Sequence, residues 1–356
     1  MQPDVEMRLG PHVAGPGHPL FVIAELGLNH GGSVDRALDL VDAAAAAGAS
    51  AIKLQTLTAA ALVAPGAPAP AHVAAASMVD FFRRFELDEA AHARIAARAR
   101  TRGLAVLATP LSEAAVPMLE RIGVDGYKIA SGDITWEALI TKAAATRKPV
   151  IVSTGMATLG DAQRALVWAL RAGAPSVALL HCVSAYPVPR GHENLRAIAT
   201  LGMACQAVVG LSDHGADTFA VPVAVAMGAA IYERHLILSA DDDAVDADVS
   251  STPAEFADVV RGAARAADAL GTGAVVCLPV ERANLEASRR GLYARRPLAP
   301  GDVVAADDII ALRPVAGLGA DRQRDLIGAR LTRAVAAGAP FVAADLPHLK
   351  GTEHVA

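Results

Sequence analysis

Residues 209–236 read VGLSDHGADTFAVPVAVAMGAAIYERHL. Two β-rich apolar runs, AVVGLSDH from Ala207 and AAIYERH from Ala229, each end on a histidine, and a helix-like segment lies between them. Strand, helix, strand is the repeating unit of a parallel sheet, and polar residues at the strand ends mark where such a sheet carries its chemistry. The same unit recurs along the chain. FVIAEL from Phe21, SAIKLQT from Ser50, LAVLATP from Leu104, GYKIASG from Gly126, PVIVSTG from Pro149 and SVALLHC from Ser176 read as six earlier strands. Helical segments such as DRALDLVDAAAAAG and DAQRALVWALRAG separate them, and PAEFADVVRGAARAADALG follows the eighth strand. Eight strand–helix units predict an α/β chain folded as a closed TIM (β/α)8 barrel; a doubly wound open sheet is the competing topology.

The barrel pattern spans residues 1–271, with 1–18 as a Gly/Pro-rich lead-in. Residues 272–288 read as a linker, which at full extension reaches roughly 55 Å. Residues 289–356 change character: GLYARRPLAPGDVVAADDIIALRP is strand, Pro-Gly turn, strand, and DLIGARLTRAVAAGAPFVAADL repeats the theme. A small, mostly β domain is expected there.

Composition narrows the function. The chain has 356 residues, 53% of them hydrophobic but only 4% aromatic, so its core must be built from Leu, Val, Ile and Ala. A net charge of −5 with no long basic run argues against a nucleic-acid partner. The longest apolar run, Phe219 to Tyr232, is too short to cross a bilayer, and the N-terminus lacks the pattern of a signal peptide. Three widely spaced cysteines, Cys182, Cys205 and Cys277, read as reduced thiols. A cytoplasmic protein without membrane contact is expected.

Polar residues collect at the predicted strand ends: Glu25, then Lys53 and Gln55, Thr109, Lys128, Ser131 and Asp133, Ser153, Ser184 and Tyr186, Ser212 and His214, and Glu233 with His235. A lone strand-end lysine is ordinarily a solvated rim residue. Two inside one barrel are different, because a buried ammonium costs several kcal/mol unless it is paired. Lys53 and Lys128 therefore ask for an anion between them, and the hydroxyls of Ser131, Ser153 and Ser212 complete a phosphate or carboxylate cradle. His214 and His235, on neighbouring strand ends, read either as hydrogen-bonded rim residues or as a metal-binding pair.

Taken together, IAELGLNHGGS, AGASAIKLQT, LATPLS, YKIASGD, KPVIVSTGMATLG, LLHCVSAYPVP, GLSDH and ERH resemble the sialic acid synthases, and more broadly the nonulosonate synthases. LYARRPLAPGDVV and ALRPVAGLG resemble the antifreeze-like (SAF) domain that follows the barrel in that family. The resemblance implies a transferase that condenses phosphoenolpyruvate with an N-acylated aminosugar to a 2-keto-3-deoxy sugar acid, releasing phosphate. It implies that His214 and His235 bind a divalent metal, Mn²⁺ foremost or Mg²⁺ or Co²⁺. It further implies that Lys53, Thr109, Lys128, Ser131, Ser153 and Ser212 hold phosphoenolpyruvate. Glu25 would hold the acceptor and take part in proton transfer, and Asp246 would bind the acceptor. Arg313 would reach a partner subunit's active site in a domain-swapped homodimer.

Several positions depart from the family's pattern. Asp133 stands where glutamate is common, Ser184 where asparagine is common, and Gly215 where threonine is frequent. SADDDAVDADVS lacks a Pro-Gly-Pro before Asp246, and AAALVAPGAPAPAHVAAAS is unusually rich in Ala and Pro. All fall on loops around the acceptor, so the product is left open among N-acetylneuraminate, a relative such as legionaminate, and a sugar of a specialised metabolite. Two alternatives stand beside this reading: another phosphoenolpyruvate-dependent 3-deoxy-ulosonate synthase, which needs an extra basic cluster for a phosphorylated aldose, and a non-catalytic carbohydrate-binding barrel.

Overall fold

A computed structural model describes residues 6–68 and 75–346. Part of the Ala/Pro-rich loop, residues 69–74, and the last ten residues of the C-terminal domain lie outside the described residues. The chain divides into two compact units, Met1–Gly271 and Thr272–Ala356.

The first unit is a closed parallel barrel. Its strands are β1 (Phe21–Gly27), β2 (Ala51–Thr56), β3 (Ala105–Pro110), β4 (Gly126–Ile129), β5 (Val150–Ser153), β6 (Val177–Cys182), β7 (Val208–Ser212) and β8 (Ile231–Leu236). Each pairs in parallel with the next, and β8 also pairs with β1, which closes the ring and excludes the open-sheet topology. Helices follow the strands where local signals start them. Ser33 caps α1 (Val34–Ala46), and Asp88 caps α2 (Glu89–Thr101). Later in the chain, Thr158 and Asp161 form a capping box on α3 (Leu159–Ala172). Thr252, Pro253 and Glu255 combine a capping box with proline at the first helical position of α4 (Pro253–Leu270).

Strand periodicity sorts side chains into two cores. Val22, Ala24, Leu26, Ile52, Leu54, Val106 and Val152 face outward beneath the helices. Phe21, Ile23, Ala51, Leu107, Ile151, Leu180 and Ile231 face inward and fill the barrel. The lead-in is structured: Met7–Leu9 and His12–Ala14 form an antiparallel hairpin whose Met7, Leu9 and Ala14 belong to the interior core. Leu9 sits where a Cβ on Gly126 would lie 2.9 Å from its Cδ2, so glycine at the start of β4 makes room for it. Leu9→Ala is expected to cost about 2–5 kcal/mol, measured by urea unfolding. A loss under about 1 kcal/mol would show that the hairpin is not part of the barrel's core.

The second unit carries the predicted strand–turn–strand as β9 (Gly291–Ala294) antiparallel to β10 (Ile309–Leu312). The second half of the repeat makes isolated bridges, Tyr293↔Pro340, Leu298↔Val335 and Val303↔Arg330, in place of full strands. Pro340 has no N–H to donate to a ladder. The repeat is nonetheless physical. Arg296 pairs with buried Asp308 and Arg333 with buried Asp345, twelve residues apart in both cases, and each aspartate caps a short 3-10 turn. The segment read as a linker is not extended: Pro279–Glu281 is a 3-10 turn and Arg282–Ser288 a helix. At 1.5 Å per α-helical and about 2.0 Å per 3-10 residue its reach falls to about 40 Å. Among the described residues no helix is long and apolar enough to cross a membrane.

Candidate active site

Inward alternation carries a polar layer to the C-terminal ends of the strands, above the apolar fill. Glu25, Lys53, Gln55, Thr109, Lys128, Ser131, Ser153, Ser184, Tyr186, Ser212, His214, Glu233 and His235 all line one cavity of about 350 Å³. A larger cavity of about 720 Å³, lined by Arg190, Asp217 and Phe219 among others, holds none of the predicted site residues.

The two lysines are buried and paired. Lys53 Nζ makes ion pairs with Glu25 Oε2 and, at 3.1 Å, with Glu233 Oε2. Lys128 Nζ donates to Ser153 Oγ at 2.6 Å and lies 3.6 Å from Glu233 Oε1. Ser212 Oγ donates to the same Glu233 oxygen at 2.9 Å, and Gly27 N donates to Glu25 Oε1 at 2.6 Å. The charges predicted to need an anion thus hold two internal carboxylates. Burial pushes the Lys53 ammonium down to about 8, with Lys128 adding to the fall and Glu233 opposing it. Burial also works against the charged form of Glu233, but Lys128 and Lys53 outweigh it and hold the carboxyl below its ordinary range.

The histidines face each other across the β7–β8 edge, their ring centroids 5.7 Å apart. Burial lowers His214 to about 4 and His235 to about 3, so both imidazoles are neutral and keep a lone pair for a ligand. Tyr186 stacks on His214 at 4.3 Å between centroids, and Cys182 Sγ lies 3.6 Å from His214 Nδ1.

The pair fits a divalent cation. His235 Nδ1 is buried without a hydrogen-bond partner, with Asp246 Oδ2 3.4 Å away. The space around it is kept open by Gly27 at φ +50, in the bulge that ends β1, where a Cβ would lie 2.8 Å from His235 Cε1 and 3.1 Å from Asp246 Oδ2. Among the described residues no group of three or more His, Cys, Asp or Glu has metal-cage spacing. Two imidazoles would leave most coordination positions to water and substrate, as a catalytic centre requires. Imidazole nitrogen suits a transition metal better than a hard, oxygen-seeking one.

Two predicted residues of the barrel lie off the cavity lining. Asp133 stands in the 3-10 turn Ser131–Asp133 after β4, and burial raises its carboxyl. Asp246 stands beside His235 in the loop after β8, and burial raises it as well. Arg313 is exposed in the second unit, just after β10.

The profile of the NeuB family matches residues 40–275, and that of the SAF domain matches residues 289–347. The chain belongs to the NeuB family. It is 31% identical to the N,N'-diacetyllegionaminic acid synthase of Campylobacter jejuni, over 88% of this chain and 96% of the relative. It is also 31% identical to a pseudaminic acid synthase of Campylobacter jejuni, over 90% of this chain and 94% of the relative. Among solved structures, the N-acetylneuraminic acid (sialic acid) synthetase of Leptospira borgpetersenii superposes with a TM-score of 0.74 at 32% identity, covering 80% of this chain and 96% of that one. This NeuB-family chain is an enzyme, a synthase by kinship.

Sequence reading under-valued Glu233. In the sequence it stands out only as a strand-end polar residue beside His235, yet it receives both lysines. A charge balance identifies it: two inward ammonium groups need two inward carboxylates, and Glu25 and Glu233 are the ones the strand alternation supplies. Cys182 also lines the cavity, two positions after inward Leu180. His181, next to Cys182 at the end of β6, points the other way and bonds to the carbonyl of Glu193 at 2.7 Å.

Proposed function

We propose that this enzyme condenses phosphoenolpyruvate with an N-acylated aminosugar, N-acetylmannosamine or a related hexosamine, to a nine-carbon 2-keto-3-deoxy sugar acid. The observation that carries the reading is that one cavity holds a pair of buried lysines, with Ser153 on Lys128 and Ser212 on their shared partner Glu233, together with two neutral imidazoles. An anionic donor exchanges with the internal carboxylates for Lys53 and Lys128, while Ser131, Ser153, Ser212 and Thr109 contribute hydroxyls. Thr109 Oγ1 is buried with no hydrogen-bond partner and so is free to meet a ligand. Relatives named for legionaminic, pseudaminic and sialic acid support the aminosugar class, and their diversity leaves the particular acceptor open.

In the proposed reaction the donor's enol C3 attacks the aldehyde carbon of the open-chain acceptor. Water adds at C2, and phosphate leaves by C–O cleavage. Glu25, oriented by Gly27 N and Lys53, lies in the cavity where a proton must move between acceptor oxygen and solvent. His214 and His235 would hold the divalent cation, Mn²⁺, Mg²⁺ or Co²⁺, which when bound supplies Lewis acidity for the aldehyde. Gln55, Asp133, Ser184 and Tyr186 would contact the substrates, and Asp246 the acceptor. We further propose that the enzyme is a domain-swapped homodimer in which the partner subunit's Arg313 completes the acceptor pocket.

Calorimetric binding of phosphoenolpyruvate tests the donor half. A charged hydrogen bond is worth roughly 1.5–3 kcal/mol, so Lys128→Ala is expected to weaken binding about tenfold to a hundredfold. Lys53→Ala is expected to do the same and also to cost about 3–5 kcal/mol of stability, because it leaves Glu25 buried without a cation and Glu233 with Lys128 alone. Normal binding by both variants would remove the basis of the anion site.

A further inference from the structure

Most outward positions of the barrel strands are apolar, and Arg234 is a charged residue among them. On β8, Tyr232 and Arg234 alternate with the inward Glu233 and His235, and Arg234 is 2% exposed. A fully buried guanidinium is costly, and an ion pair in its place is often no more stabilising than a well-packed apolar pair. Its contacts show what it does instead. Arg234 Nη1 donates to Asp213 Oδ2 at 3.2 Å, Nη2 to the carbonyl of Gly215 at 3.0 Å, and Nε to Ser251 Oγ at 2.7 Å. Asp213 Oδ2 also accepts from Tyr232 Oη at 2.7 Å, and Oδ1 accepts from Gly215 N at 2.9 Å.

These bonds bracket His214. The residue before it and the residue after it are both held by the side chain whose own next neighbour is His235. One planar fork, with its donors fixed in direction, therefore ties the end of β7 to β8 at the level of the two imidazoles. Through Ser251 it also pins the far end of the loop that carries Asp246 to the same strand.

We infer that the buried Arg234–Asp213 pair is a positioning element that sets the spacing and aim of His214 relative to His235 for a shared divalent cation. The inference rests on the metal reading above, and it concerns the supporting shell. Partners that orient metal-binding histidines contribute about 10–100-fold to metal affinity.

The test is a Mn²⁺ titration of the full-length protein, metal alone, followed by electron paramagnetic resonance, with thermal unfolding measured in parallel. The double variant Asp213→Leu/Arg234→Met replaces the pair by apolar side chains and leaves no buried charge. It is expected to unfold within a few degrees of the parent and to bind Mn²⁺ about 10–100-fold more weakly. A structural role alone predicts a lower Tm and unchanged affinity well below that Tm. Should the double variant not fold, Asp213→Asn keeps an oxygen for Tyr232 and loses the charge facing Arg234, and about a tenfold loss of Mn²⁺ affinity is expected. A parent that binds Mn²⁺ only when His214 and His235 are present, with variants within twofold of it, overturns the inference alone. A parent that binds no Mn²⁺ overturns the metal reading and the inference with it.

Discussion

His235→Ala is expected to lower turnover by about a thousandfold or more, corresponding to roughly 4 kcal/mol of transition-state stabilisation. His235 is buried, kept neutral by its surroundings, and has an unpartnered Nδ1 beside Asp246. His214→Ala is expected to fall as far, because the proposed cation site needs both imidazoles. Chelation should reproduce the loss in the parent, and Mn²⁺, Mg²⁺ or Co²⁺ should reverse it there but not in either variant. Steady-state rates at saturating donor, with and without chelator, check this. Full turnover in a verified metal-free parent would contradict the role given to the pair.

Mixing two inactive proteins, His235→Ala and Arg313→Ala, is expected to restore part of the activity. In a swapped dimer, a heterodimer contains one site with an intact His235 and a partner subunit's Arg313. The partly helical connector spans at most about 40 Å. The planar donors of a guanidinium suit an acyl carbonyl or a sugar hydroxyl. Subunit exchange is followed by native mass spectrometry and turnover together. Complete exchange with no recovered turnover would place Arg313 outside the partner's site.

The fold was legible because β-strand alternation and polar strand ends repeat eight times, and each predicted strand is present within two or three residues of its expected bounds. The N-terminal hairpin was not, because three-residue strands among Gly and Pro carry no periodicity, although Met7 and Leu9 plug the barrel. The helix Arg282–Ser288 was also missed, its side chains being mostly exposed and without an apolar face. At the site, residue types and alternation brought together every predicted pocket residue on the barrel except Asp133 and Asp246. What they could not show was that Lys53 and Lys128 already hold carboxylates. For Glu233 that depends on distances across the barrel from β8 to the non-neighbouring β2 and β4, whereas Glu25 and Lys53 are register partners on adjacent strands. The Arg234–Asp213 clamp was hidden for a related reason: a charged residue on an outward face reads as solvated until the covering elements are placed over it.

The central claim is tested most directly by phosphate release from phosphoenolpyruvate with Mn²⁺ present, across a panel of free N-acylated hexosamines and phosphorylated aldoses. The reading predicts phosphate release in step with a product whose mass is that of one free aminosugar plus pyruvate, and none without an acceptor. Release with phosphorylated aldoses alone, or with no acceptor on the panel, would contradict it.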